Sequence, residues 1–184
     1  MWGTRIRLRR KMSERKDHFE EGHTFEVYVA NSLFPEPDFA VSHITTRRDD
    51  LGGRLVESAQ NPDIEIRHRK SDHLFWVECK WRTSRSIRNC KLAVLTRNQL
   101  ERYNSFQERE RLHRVYVVVG LNGRPDSPSR LFCIPLKEFN NQPWPYLRML
   151  VPFERSPAVP VSKRASPIRA SNCSQTSQFM SVRM

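Results

Sequence analysis

A chain of 184 residues with 38% apolar residues and a formal charge of +12 has room for one domain with a real core, and its basic balance points to a polyanionic partner. No apolar run is long enough for a helical membrane span, and the basic N-terminus lacks the apolar stretch of a signal peptide, so no membrane is expected and a cytoplasmic location is the expectation. Cys79, Cys90, Cys133 and Cys173 are too scattered to form a C-x-x-C pair, so no zinc site is expected. Most of the charge lies at the ends: residues 1–16 carry seven Lys/Arg against one acid, and residues 156–184 carry four against none. The expected organisation is a basic flexible arm over 1–16, one folded domain over 17–154, and a disordered basic Ser/Pro-rich tail over 155–184.

The first element is a helix over 16–34, with Phe19, Phe25, Val29 and Leu33 at helical spacing and Pro35 and Pro37 closing it. A strand follows over 39–46. Residues 47–60, with Asp49-Asp50 and Gly52-Gly53, read as a loop leading into Asp63. Residues 63–69 and 72–80 then read as a hairpin turning at Lys70-Ser71. Its apolar face is Ile64, Ile66, Phe75, Val77 and Cys79, and its expected opposite face is Asp63, Glu65, Arg67, Glu78 and Lys80; a one-residue slip would bury the charges.

That register brings chemistry together. Side chains alternate along a strand, so Glu78 and Lys80 point the same way, and Asp63 falls opposite Glu78 at about 5 Å. Two carboxylates so placed repel unless a divalent cation or a basic group lies between them, and oxygen-rich sites suit Mg²⁺ or Mn²⁺. The competing reading is a plain solvated hairpin face.

Beyond the hairpin, residues 80–114 hold ten basic residues and three acids, among them Arg82, Arg85, Arg88, Lys91, Arg97 and Arg102. Positive charge beside an acidic pocket is the layout that nucleic-acid cleavage requires, because phosphates must be held while the acids keep their metal. A helix is expected over 96–111 with Thr96 as N-cap. A buried strand follows over 115–119, then a turn at 122–125, a strand over 131–134 and a short helix from 135 to 139.

Pro62-Asp63 followed by Glu78-Cys79-Lys80 resembles the PD-(D/E)xK nuclease signature, and the order helix, three strands, helix, strand is similar to that superfamily's core over about 19–139. Gln99-Leu100-Glu101-Arg102-Tyr103 resembles the QxxxY motif of the RecB-like branch; the two end residues, four apart, share a helix face. Glu26, in Gly22-His23-Thr24-Phe25-Glu26, resembles the acid on the superfamily's first helix, and His23 falls where the RecB-like pattern places a histidine. The resemblance implies an α/β, restriction-endonuclease-like αβββαβ core with a mixed central sheet flanked by helices. It implies catalytic Asp63, Glu78 and Lys80, and Mg²⁺ or Mn²⁺ held by Asp63, Glu78, the Cys79 carbonyl and Glu26. It also implies substrate contacts from Gln99, Tyr103, Arg82, Arg85 and Arg97. No cysteine precedes Cys79, so the iron–sulfur cluster of some RecB-like nucleases is not expected.

The implied activity is metal-dependent hydrolysis of DNA phosphodiesters, as an endonuclease. The implied partners are nucleic acid, a second copy of the chain for double-strand cutting, or a helicase/ATPase, and no membrane. A non-catalytic nucleic-acid-binding or partner-activated subunit on the same fold remains the alternative, as does an interaction protein whose basic ends meet an acidic partner.

Overall fold

The computed structural model describes residues 18–45, 61–110 and 114–157. The expected arm over 1–16, the loop over 47–60 and the tail beyond 157 lie outside these residues. The chain is α/β, built on a mixed six-stranded sheet flanked by helices.

Residues 18–28 are helical and continue into a π-helical turn, Val29–Leu33, and the two together form α1. Phe25, Val29 and Leu33 are buried as the helical spacing predicts, whereas Phe19 stays 42% exposed. After α1 come β1 (Phe39–Ile44), β2 (Ile64–His68) and β3 (His73–Arg82). A small ribbon, β4 (Ile87–Arg88) with β5 (Lys91–Leu92), precedes α2 (Arg97–Arg109). The chain then forms β6 (Arg114–Arg124), β7 (Ser127–Pro135), a 3₁₀ turn over Leu136–Phe139, the single-turn α3 (Leu147–Leu150) and β8 (Glu154–Arg155).

The strand order is β1-β2-β3-β6-β7-β8, with β3 and β6 parallel and every other neighbouring pair antiparallel. The β3–β6 crossover carries the ribbon and α2, as a parallel connection requires. Ile64 pairs with Val77 and His68 with His73, which is the register predicted from the alternation of the hairpin.

Both faces of the sheet are covered. On one, α1 packs Phe25, Val29 and Leu33 against Ile64, Ile66, Val77, Cys79 and Val118. On the other, Leu100, Tyr103 and Phe106 of α2 pack against Trp76, Val115, Val117 and Val119. Each fully buried Val, Leu or Phe contributes about 1.5–3 kcal/mol, so this double layer is what holds the sheet together.

The two-sided burial changes the reading of the hairpin's charged face. Trp76, Val77, Glu78 and Cys79 are all buried in succession, because α2 covers the side on which Glu78 projects. Glu78 is therefore a core residue, not part of a solvated polar face.

The first helix comes unusually close to the sheet at one point. A Cβ built on Gly120 of β6 would lie 2.5 Å from Cε2 of Phe25, well inside ordinary carbon contact. Only a glycine lets the ring rest there.

Candidate active site

The site lies at the start of β2, where β3 runs on past its last β2 partner, Val77, still paired with β6 on its other edge. Asp63 immediately precedes β2, and the Ile64–Val77 pairing places it beside Glu78. Its corner is pinned by backbone and hydroxyl bonds: Thr45 N–H donates to the Asp63 carbonyl at 2.9 Å, and Thr45 Oγ1 donates to the Pro62 carbonyl at 2.6 Å. With the corner fixed, Asp63 Oδ2 accepts the Cys79 N–H at 2.7 Å, so a carboxylate occupies the place of the next rung in the β2–β3 ladder.

Glu78 is the one charged side chain buried among the described residues, at 1% exposure. Charge so deep needs partners, and it has two. Tyr103 Oη donates to Oε2 at 2.6 Å, and the Lys80 ammonium contacts Oε1. The phenol is held in turn by Arg102, whose Nη2 donates to Tyr103 Oη at 3.0 Å and whose guanidinium lies 4.9 Å from the ring centroid. Tyr103 thus reaches the site as a buried anchor for Glu78, its hydroxyl turned to that carboxylate.

Beside these groups opens a cleft of about 460 Å³. Glu26, Gly22 and Glu21 of α1 form one wall, and Asp63, Cys79, Lys80 and Arg82 form the other. Glu26 is also paired with His23, Nδ1 to Oε2 at 3.8 Å.

The electrostatics follow from this crowding. Burial, the Glu78 charge and the Glu26 charge push the Asp63 carboxyl from 3.8 up to about 8, against the opposing pull of Lys80 and the Cys79 N–H. Burial works against the charge on Lys80, yet Glu78 and Asp63 outweigh it and hold its ammonium above the ordinary value. Burial, reinforced by Glu78, keeps the Tyr103 phenol protonated far above its ordinary range. Asp63 and Glu26 both line the cleft, and their donors are oxygen, the preference of a hard divalent cation. No group of three or more His, Cys, Asp or Glu side chains already has metal-ligand spacing among the described residues. Glu78 is drawn instead toward Lys80 and Tyr103.

Other residues singled out from the sequence lie apart from the acids or are otherwise engaged. Gln99 forms a capping box with Thr96: its Oε1 accepts the Thr96 N–H at 3.0 Å, and its own N–H donates to Thr96 Oγ1 at 3.2 Å. The expected N-cap is present, and the same bonds occupy the glutamine expected to meet substrate. Arg82 lines the cleft, but its guanidinium donates to the carbonyls of Ala93, Trp81 and Val94 at 2.6, 2.8 and 2.7 Å. It buttresses the chain leading into α2. Arg85 and Arg97 are exposed, with Arg85 beside the ribbon and Arg97 at the start of α2.

No protein-family model matches the chain, and no curated protein sequence matches it.

Proposed function

We propose that this chain is a metal-dependent nuclease of the PD-(D/E)xK kind, with a restriction-endonuclease-like core, hydrolysing phosphodiester bonds of DNA. The observation that carries the reading is the convergence of Asp63, Glu78, Glu26 and Lys80 where the β2–β3 ladder ends, with Asp63 raised to about 8 by burial and, after it, by its acidic neighbours. The element order around it, helix, three antiparallel strands, helix and a strand parallel to the third, supports the same core.

Asp63, Glu26 and the Cys79 carbonyl, with Glu78 behind them, would hold Mg²⁺ or Mn²⁺. Such an ion, when bound, lowers the pKa of a coordinated water and neutralises charge gathering on the phosphate. Lys80 stays protonated beside Glu78 and Asp63, so it can orient the attacking water or stabilise the negative charge that develops on the phosphate. Tyr103 fixes Glu78 against rotation, the kind of support that liganding carboxylates need.

Cleavage decides the matter. Wild type and Lys80→Ala are incubated with plasmid, linear duplex, single-stranded and branched DNA, and with RNA, with Mg²⁺, with Mn²⁺ and with chelator. Metal-dependent DNA cleavage by wild type and none by the variant is the expected result. Intact binding without cleavage under any metal would transfer the assignment to a non-catalytic or partner-activated subunit.

A further inference from the structure

Next to the ribbon, residues 143–147 run antiparallel to residues 90–95. Leu92 N–H donates to the Pro145 carbonyl at 3.0 Å, Leu95 N–H to Pro143 at 3.2 Å, and Leu147 N–H to Cys90 at 2.9 Å. Trp144 stands between two prolines, each with its φ fixed by its ring. Its indole N–H donates to the Leu95 carbonyl at 3.1 Å, so the ring is held by its polar edge while the residue stays 57% exposed. Tyr146, two residues on, has the Lys91 ammonium 4.8 Å and the Arg148 guanidinium 5.3 Å from its ring centroid.

Trp144 forms one wall of a groove of about 330 Å³, whose other lining residues are Arg85, Ser86, Arg88, Lys91 and Ala93. Three of these are cations and none is acidic. Ser86 lines both this groove and the acid cleft, so the two meet at that residue.

We propose that the groove is a docking track for single-stranded DNA leaving the acid cleft, with an unpaired base stacked on Trp144 and the flanking phosphates held by Arg85, Arg88 and Lys91. The proposal rests on the nuclease reading and adds to it the form of the strand. A rigid aromatic plane set among cations is the element from which single-strand tracks are built, because every base has a face to stack. A duplex offers no such face, since its bases are already stacked on one another. Nor can the indole N–H serve a duplex backbone, because Leu95 already holds it.

The test uses the full chain in chelator, where no cleavage is expected, and follows the anisotropy of a labelled thymidine oligonucleotide, its abasic counterpart, the matching duplex and the matching RNA. The single strand is expected to bind more tightly than the duplex. Trp144→Ala is expected to weaken it roughly 5- to 150-fold, the range that base–aromatic stacking provides. Trp144→Phe, which keeps a stacking face, retains most of the affinity, and circular dichroism of both variants confirms that they fold. The abasic strand loses as much as Trp144→Ala does and is insensitive to that substitution. Arg85→Ser, Arg88→Ser and Lys91→Ser each reduce the slope of log K against log salt by about 0.7.

Equal affinity of wild type and Trp144→Ala for the single strand would overturn the proposal, as would equal binding of abasic and base-bearing strands, tighter binding of duplex or RNA, or no binding at all. Cleavage with no effect of Trp144→Ala would sink the track and spare the nuclease. Trp144-dependent binding without cleavage would do the reverse.

Discussion

Replacing Asp63 by Asn keeps an acceptor for the Cys79 N–H and removes the titration. The folded chain holds the Asp63 proton up to about pH 8, while the unfolded chain gives it up near 3.8. Unfolding therefore releases a proton over that interval. The Asp63 contribution to stability is fully present below the unfolded pKa, is lost as pH rises through the folded one, and is constant above it. At 1.36 kcal/mol per pH unit the full interval is worth on the order of 5 kcal/mol, and the part between pH 5 and pH 9 on the order of 4. Asp63 is only half-buried, so solvent screening trims that part to about 2–4 kcal/mol. Urea unfolding in chelator, run from pH 5 to pH 9, measures it. Wild type is expected to lose about 2–4 kcal/mol more than Asp63→Asn across that range, and the variant is expected to be the more stable protein at pH 8. Added Mn²⁺ should narrow the gap by stabilising wild type alone, since metal displaces the proton. Parallel pH profiles for the two proteins would refute the account of a carboxyl held protonated by burial and its acidic neighbours.

Tyr103→Phe removes the hydroxyl that Glu78 Oε2 accepts from; it is expected to cost about 1–3 kcal/mol in denaturant melts and to weaken Mn²⁺ binding about 10- to 100-fold by calorimetry. Lys80→Ala leaves Glu78 buried with only the phenol as partner, and is expected to lower metal-free stability by about 3 kcal/mol as well as to abolish cleavage. Thr96→Ala breaks the capping box and should cost about 0.5–2 kcal/mol with metal affinity unchanged, which separates helix stability from site chemistry. Gly120→Ala, forcing a methyl against Phe25, should cost about 1–3 kcal/mol in a thermal melt.

The hairpin was legible because two independent patterns agreed. The alternation of Ile64, Ile66, Phe75, Val77 and Cys79 and the turn at Lys70-Ser71 both fix Ile64 opposite Val77. The capping box was half legible: Thr96 reads as an N-cap, but Gln99 serves equally as the far side of that cap and as the first residue of a QxxxY motif, and local bonding takes it for the first role. The burial of Glu78 was hidden because a Glu-x-Lys alternation looks solvated; its cover, Tyr103, comes from 25 residues later. The bonds of Arg82 were hidden for a similar reason, since a guanidinium beside acids gives no sign in sequence of the three carbonyls it donates to. The ribbon and the segment beyond residue 140 were invisible because two-residue strands have no period, and because prolines around Trp144 read as an irregular loop when they form the outer rung beside Leu92 and Leu95.

Gly120 has a role that reaches along the sheet. It pairs with Trp81, the neighbour of Lys80, and it carries Phe25, the neighbour of Glu26. The spacing between the helix acid and the strand lysine is therefore gauged by a ring lying on bare backbone. A methyl there would have to push the Phe25 ring, or the helix that carries it, out by about 1 Å to reach ordinary contact, while working constellations of ligands tolerate about 0.5 Å. The jaw of the cleft is set from behind, by a residue that touches none of the acids, and its width is fixed by an absent side chain.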